Sequence, residues 1–179
     1  MKTTTSPFTV LIDTREGDPW TFSKVPGYKG EGRLKVKHEW HNLGHHRGDY
    51  TIKEAATDAD CRWRLSIERK SISDLYSTIL SRRRQFITEL KMLNSMEYAA
   101  VVVENSLINV LNYTMEHWKL HNTPEETRFK RRRSVAGSIQ AWQLRYPTIR
   151  WWFLPRVAAQ TWVYRLMHKF WVEVMGGRK

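Results

Sequence analysis

A chain of 179 residues with 41% hydrophobic side chains is long enough to fill one core and short for two, so a single domain over 1–179 is expected. Lys and Arg number 30 against 18 Asp and Glu, a formal net charge of +12 that calls for an acidic partner, nucleic acid first and an anionic membrane surface second. No apolar run approaches the roughly 20 residues of a spanning helix, and Cys61, as the one cysteine, excludes an internal disulfide and a thiolate zinc site.

Residues 1–7 lack the apolar segment of a secretory signal and read as a flexible N-terminus, so a cytoplasmic protein is expected. Phe8-Thr9-Val10-Leu11-Ile12 is an apolar, β-branched run that reads as a buried strand, and it ends in Asp13-Thr14-Arg15-Glu16. The stretch 20–32 is rich in Gly, Pro and Lys and reads as a surface connection with one short helical turn. From Arg33 onward, Leu34, Val36 and His38 alternate with Lys35, Lys37 and Glu39, the period of a strand with one solvated face. His38, His41, His45 and His46 invite a zinc reading, but they come without a helical His-Glu-x-x-His or a thiolate, and solvated loop histidines are the better reading.

Gly48-Asp49-Tyr50 opens a strand over 50–55, Thr57-Asp58-Ala59-Asp60 has turn chemistry, and 62–70 returns antiparallel. The hairpin carries Asp49 and Glu68 to the same edge of the sheet. Glu68 and Lys70 are two apart and share a face, while Arg69 points to the other. Ser73 is a candidate cap for a helix beginning at Asp74, with Leu75, Ile79, Phe86, Leu90 and Leu93 as its inward stripe. An acid at a helix start is worth roughly 0.3–1 kcal/mol through the dipole alone, so Asp74 has a structural reading beside a functional one.

Arg82-Arg83-Arg84 interrupts that stripe and marks a bend or a second helix. It reads as a solvated face or, beside so many strand-end acids, as a phosphate contact. Tyr98-Ala99-Ala100-Val101-Val102-Val103-Glu104 has the unbroken apolarity of a parallel strand covered on both faces. A helical fragment follows at 106–112, then a polar segment, and then Lys130-Arg131-Arg132-Arg133, read as a mobile basic loop for DNA phosphates in preference to a solvated helix end. Val135, Ile139, Trp142 and Tyr146 recur at helical spacing up to Pro147, 148–154 is a strand, and Pro155 starts a last helix with Ala159, Trp162, Leu166 and Phe170 inward, closed by Gly176-Gly177. Of nine Trp, five fall late (Trp142, Trp151, Trp152, Trp162, Trp171), which points to a bulky core or a subunit interface before base stacking. The element order is that of an α/β fold with a mixed sheet.

Three strand ends therefore offer acids: Asp13 with Glu16, Asp49, and Glu68. Hard divalent cations take several oxygens, and Mg²⁺ keeps waters that can become nucleophiles. A lysine two residues beyond a ligating glutamate is placed to act on such a water or on a phosphate. Taken in order, Asp13-Thr14-Arg15-Glu16, Gly48-Asp49-Tyr50 and Glu68-Arg69-Lys70-Ser71-x-x-Asp74-Leu75 resemble the XPF-type structure-specific endonuclease domain, the GD…ERKxxxD branch of the PD-(D/E)XK nucleases, over roughly residues 8 to 175.

The resemblance implies a restriction-endonuclease-like three-layer fold, with a mixed central sheet flanked by helices, and a Mg²⁺-dependent endonuclease for which Mn²⁺ substitutes. It implies metal binding by Asp13, Asp49, Glu68 and a main-chain carbonyl beside Glu68, action of Lys70 on water or scissile phosphate, and support from Arg15, Glu16, Arg69 and Asp74. It further implies branched DNA as substrate (flaps, forks or four-way junctions) and a homodimer through the C-terminal helices. Relatives usually add helix-hairpin-helix modules, and this chain stops at Lys179 without them. Arg82, Arg83, Arg84, Lys130, Arg131, Arg132 and Arg133 are the expected substitute grip, in a compact form suited to a nucleoid or to a bacteriophage in its host cytoplasm. A catalytically silent DNA-binding scaffold on the same fold is the alternative, and a purely structural salt-bridge network is the third reading.

Overall fold

The structure is a computed structural model that describes residues 4–27, 32–45, 47–57, 62–113 and 123–176. Its centre is a six-stranded mixed sheet in the order β2-β1-β3-β6-β7-β8. The strands are β1 (Thr5–Asp13), β2 (Lys35–His41), β3 (Tyr50–Ile52), β6 (Leu65–Lys70), β7 (Tyr98–Val103) and β8 (Ile149–Phe153). β1 runs parallel to β2 and antiparallel to β3, β3 is antiparallel to β6, and β6, β7 and β8 are mutually parallel. The expected hairpin is present, but a 3₁₀ turn at Lys53–Ala55 interrupts it, and its far end is a separate two-stranded ladder of β4 (Ala56–Thr57) and β5 (Arg62–Trp63).

Two apolar cores lie on opposite faces of the sheet. Ala99, Val101 and Val103 of β7 face one of them, and Ala100 and Val102 face the other, as the period of two requires. The first core is covered by α1 (Ile72–Leu80), α2 (Arg83–Asn94), α3 (Leu107–Asn112) and α4 (Glu125–Arg145), with Leu75, Ile79, Phe86, Leu90 and Leu93 all buried as read. The second is covered by α5 (Arg156–Glu173) together with Trp20, Phe22 and Val25. The segment after β1 is thus no surface connection and forms no helical turn in its described part. Its aromatic residues fold back because Tyr50 and the α5 face offer them apolar contacts, with Trp20 stacked on Tyr50 at 4.7 Å.

Other boundaries also move. Ser71, not Ser73, caps α1, its hydroxyl accepting from the Asp74 N–H at 3.1 Å, which places Asp74 in the first turn. Lys130, Arg131, Arg132 and Arg133 lie inside α4 and not on a loop, since that helix begins five residues earlier at Glu125, where Glu125 and Glu126 suit the helix N-terminus. The inward face of α5 is Ala159, Val163, Met167 and Phe170 with Gln160 and Tyr164, and Trp162 is 51% exposed on its outer side. β2 is an edge strand exposed along nearly its whole length, with Val36 packed on the core. Residues 58–60 of the expected turn, 28–31 of the Gly-, Pro- and Lys-rich segment, His46, the polar segment at 114–122 and Gly177 lie outside the described residues.

Candidate active site

The C-terminal ends of β1 and β6 and the start of β3 meet at one point. The Asp13 N–H donates to the Asp49 carbonyl at 2.8 Å, and the Asp49 N–H donates to the Ile67 carbonyl at 2.8 Å. Gly48 makes that approach feasible. It sits at φ +77°, and a Cβ there would meet the Ser66 hydroxyl at 2.3 Å and the Ile67 carbonyl oxygen at 2.9 Å. The glycine of Gly48-Asp49 is therefore dictated by backbone packing, and the aspartate is what the packing delivers.

A pocket of about 280 Å³ opens at this junction. Asp13, Arg15, Asp49, Glu68, Lys70 and Arg82 line it, together with His45, read above as a solvated loop histidine, and with residues that sequence reading did not single out, chiefly Arg47, Gln85 and Glu89. Strand alternation places Glu68 and Lys70 on this face as expected. The Lys70 ammonium meets Glu68 Oε1 at 2.5 Å, Asp74 Oδ2 at 3.2 Å and Glu89 Oε2 at 4.0 Å, and lies 5.1 Å from the centre of the Phe86 ring. Burial works against the charged form of Lys70, but these three carboxylates outweigh it and raise its pKa above the ordinary lysine value. The three carboxylates therefore favour the ammonium form of Lys70.

The carboxylates are less content. Asp49 Oδ2 accepts the Arg69 N–H at 2.7 Å, yet burial and the nearby Glu68 charge hold the Asp49 pKa well above the usual range. Burial and the Glu68 charge likewise push Glu89 up to about 8. Glu68 has a side chain only 3% exposed, and its Oε2 is buried with no hydrogen-bond partner. Three acids around one ammonium, with an orphaned oxygen among them, are the donor set of a hard cation. Among the described residues no three Asp, Glu, His or Cys side chains form a ready-made cage for a metal ion.

Asp13 reaches the pocket with its oxygens engaged. They accept Arg15 Nε at 2.7 Å, Arg15 NH2 at 3.0 Å, the Arg15 N–H at 2.8 Å and the Leu43 N–H at 3.0 Å. Burial alone would raise its pKa, but these partners hold it below the usual carboxylate range. Arg15 also donates to the Gly44 carbonyl at 2.6 Å and approaches His45 Nδ1 at 3.3 Å, so Asp13 and Arg15 together brace the loop at the pocket wall. Asp74 bridges Lys70 and Arg82, and Arg82 also reaches Thr78 at 3.3 Å.

Glu16 and Arg69 are on the opposite face. Arg69 donates to Glu16 at 3.0 Å, Asp18 at 3.1 Å and Glu104 at 2.7 Å, and Glu104 also accepts from Trp20 Nε1 at 2.6 Å and from Arg156 at 3.1 Å. This cluster locks the ends of β6 and β7, the segment after β1 and the start of α5. Arg83 is occupied as well, donating to Ser138 at 2.5 Å and lying over the Trp142 ring at 5.0 Å. Arg84, Lys130 and Arg133 are exposed, and Arg131 and Arg132 are half-buried. Glu89 did carry a sequence signal: it lies three residues after Phe86 and four before Leu93, on the inward row of α2.

Two solved structures similar to this chain are of XPF from Aeropyrum pernix. One has a TM-score of 0.57 at 21% identity and covers 96% of this chain and 64% of that one. The other, a complex with DNA, has a TM-score of 0.55 at 20% identity and covers 93% of this chain and 66% of that one. This chain therefore spans about two thirds of the length of those structures. No family model and no curated protein matches it. The likeness concerns the fold: the mixed six-stranded sheet with flanking helices is the fold of an XPF nuclease.

Proposed function

We propose that this protein is a Mg²⁺-dependent endonuclease that hydrolyses phosphodiester bonds in branched DNA. The observation that carries the reading is the pocket in which Asp49, Glu68 and the caged Lys70 ammonium converge, with Glu68 Oε2 left without a partner. Asp49 and Glu68 would hold the cation, whose chemistry there is to acidify a water and to neutralise charge on the phosphoryl group. Asp13 takes part as the carboxylate that fixes Arg15 and the loop wall. Lys70, as an ammonium, donates to a non-bridging oxygen of the phosphoryl group whose phosphorus is attacked, where it stabilises negative charge in the transition state. Asp74 keeps Lys70 and Arg82 aimed into the pocket, and Arg82 takes a phosphate at its mouth. Arg84, Lys130 and Arg133 extend that positive surface along α2 and α4, which supports an electrostatic hold on the DNA backbone. Homodimerisation through the C-terminal helices belongs to the same proposal, supported by Trp162 and Val157, each 51% exposed on α5.

The test is cleavage of end-labelled linear, flap, fork and four-way DNA by wild type and Glu68→Gln, in Mg²⁺ and in EDTA. Wild type is expected to nick branched substrates only with metal, and Glu68→Gln to bind them without nicking. Binding without cleavage by wild type across metals and salts would make the protein a DNA-binding scaffold instead.

A further inference from the structure

Glu89 is the one acid lining the pocket that the ordered motif does not contain. It projects from the inward row of α2, between the buried residues Phe86, Leu90 and Leu93, and its side chain is 18% exposed. A carboxylate on the buried row of a helix needs compensation. The nearest ammonium, on Lys70, is 4.0 Å away and is already held more closely by Glu68 at 2.5 Å and Asp74 at 3.2 Å. What Glu89 meets within hydrogen-bonding reach is the carboxylate of Glu68. Glu68 Oε2, beside it, is buried without a hydrogen-bond partner. With Lys70 held mainly by Glu68 and Asp74, the adjoining Glu68 and Glu89 carboxyls leave oxygens in the pocket that an added cation could use.

We propose that Glu89 is a third carboxylate of the divalent-cation site, acting beside Asp49 and Glu68 through a water of the cation's shell. This inference rests on the nuclease reading and assigns a role to a helix that carries none of the motif. A water is part of the proposal because among the described residues no three acids form a direct cage and Mg²⁺ gives up its waters reluctantly. Partners that hold such a ligand shell in place are typically worth about 10–100-fold in metal affinity.

The probe is Mn²⁺, titrated calorimetrically and by electron paramagnetic resonance into the DNA-free full chain. Glu89→Gln is expected to weaken Mn²⁺ binding by roughly 10–100-fold, and Glu89→Asp to recover part of it. Glu173→Gln, on the exposed side of α5, should bind as wild type does. In EDTA the thermal midpoint of Glu89→Gln should equal or exceed that of wild type, because the substitution removes a like-charge contact. A lowered midpoint or loss of folding would overturn the inference, since it would make Glu89 a structural partner of Lys70. Unchanged Mn²⁺ affinity in Glu89→Gln would overturn it while leaving the nuclease reading intact. Wild type that takes up no Mn²⁺ would sink both.

Discussion

Glu68 and Arg69 are neighbours in the chain, and the sheet sends them into opposite chemical settings. On the α5 side, Arg69 and Glu104 are 9% and 8% exposed and surrounded by opposite charges, with Glu16, Asp18 and Arg156 completing the set. On the α2 side, Glu68, Asp74 and Glu89 crowd the Lys70 ammonium, Asp49 lines the same pocket, and Glu68 Oε2 has no partner. Both clusters are dense in charge, so density alone does not distinguish a site from a clamp. What differs is the pairing: Glu16, Asp18 and Glu104 each meet a guanidinium that helps hold β6, β7 and α5 together, whereas in the pocket Glu68 Oε2 is left without a partner.

Three experiments would break or sharpen that contrast. Arg69→Met should have the largest effect, a loss of about 3–5 kcal/mol in denaturant unfolding, because it leaves Glu16 buried without its cation and Glu104 with Arg156 alone. A stability close to wild type would mean that the α5-side cluster is no clamp. Lys70→Met should act on rate, lowering single-turnover cleavage by roughly 100–1000-fold per folded molecule, the usual cost of removing one transition-state donor. Its DNA affinity in EDTA should change far less, and equal losses in both would reduce Lys70 to a contact for binding.

The smallest effect is in acid. Burial raises the Glu104 pKa, but Arg69, Trp20 and Arg156 outweigh it and hold the group below its ordinary value. The unfolded chain therefore takes up this proton at a higher pH than the folded one does, and stability rises with pH between the two values. The contribution is complete above the ordinary glutamate pKa of about 4.3 and is lost as pH falls through the folded value. Glu104→Gln should flatten the acid limb of the stability curve, read by tryptophan fluorescence. An unchanged limb would show that the cluster does not depend on that charge.

Strand alternation was enough to pair Glu68 with Lys70 and to turn Arg69 away, because a period of two is a local property of extended backbone. The inward stripes of α1 and α2 and the unbroken apolarity of β7 were legible for the same reason. On α5, Ala159 and Phe170 are buried and Leu166 packs on the core as read, but Trp162 is apolar and faces outward, while Gln160 is buried to accept the Phe22 N–H at 3.0 Å. That bond joins residues 138 apart, and no local pattern announces it. Glu89 was hidden by the same rule that found its neighbours: an acid on an apolar row looks like a flaw in the stripe until the facing strand is in place.

The sequence by itself determined which residues bear the chemistry and, through local periodicity, the face that each one takes. Only the tertiary structure decided which charges meet. Asp13 is engaged by Arg15 and Leu43, Arg69 by Glu104, and Glu68 is left facing Glu89 across the pocket, because hydrogen bonding and burial are settled by distances between elements far apart in the chain.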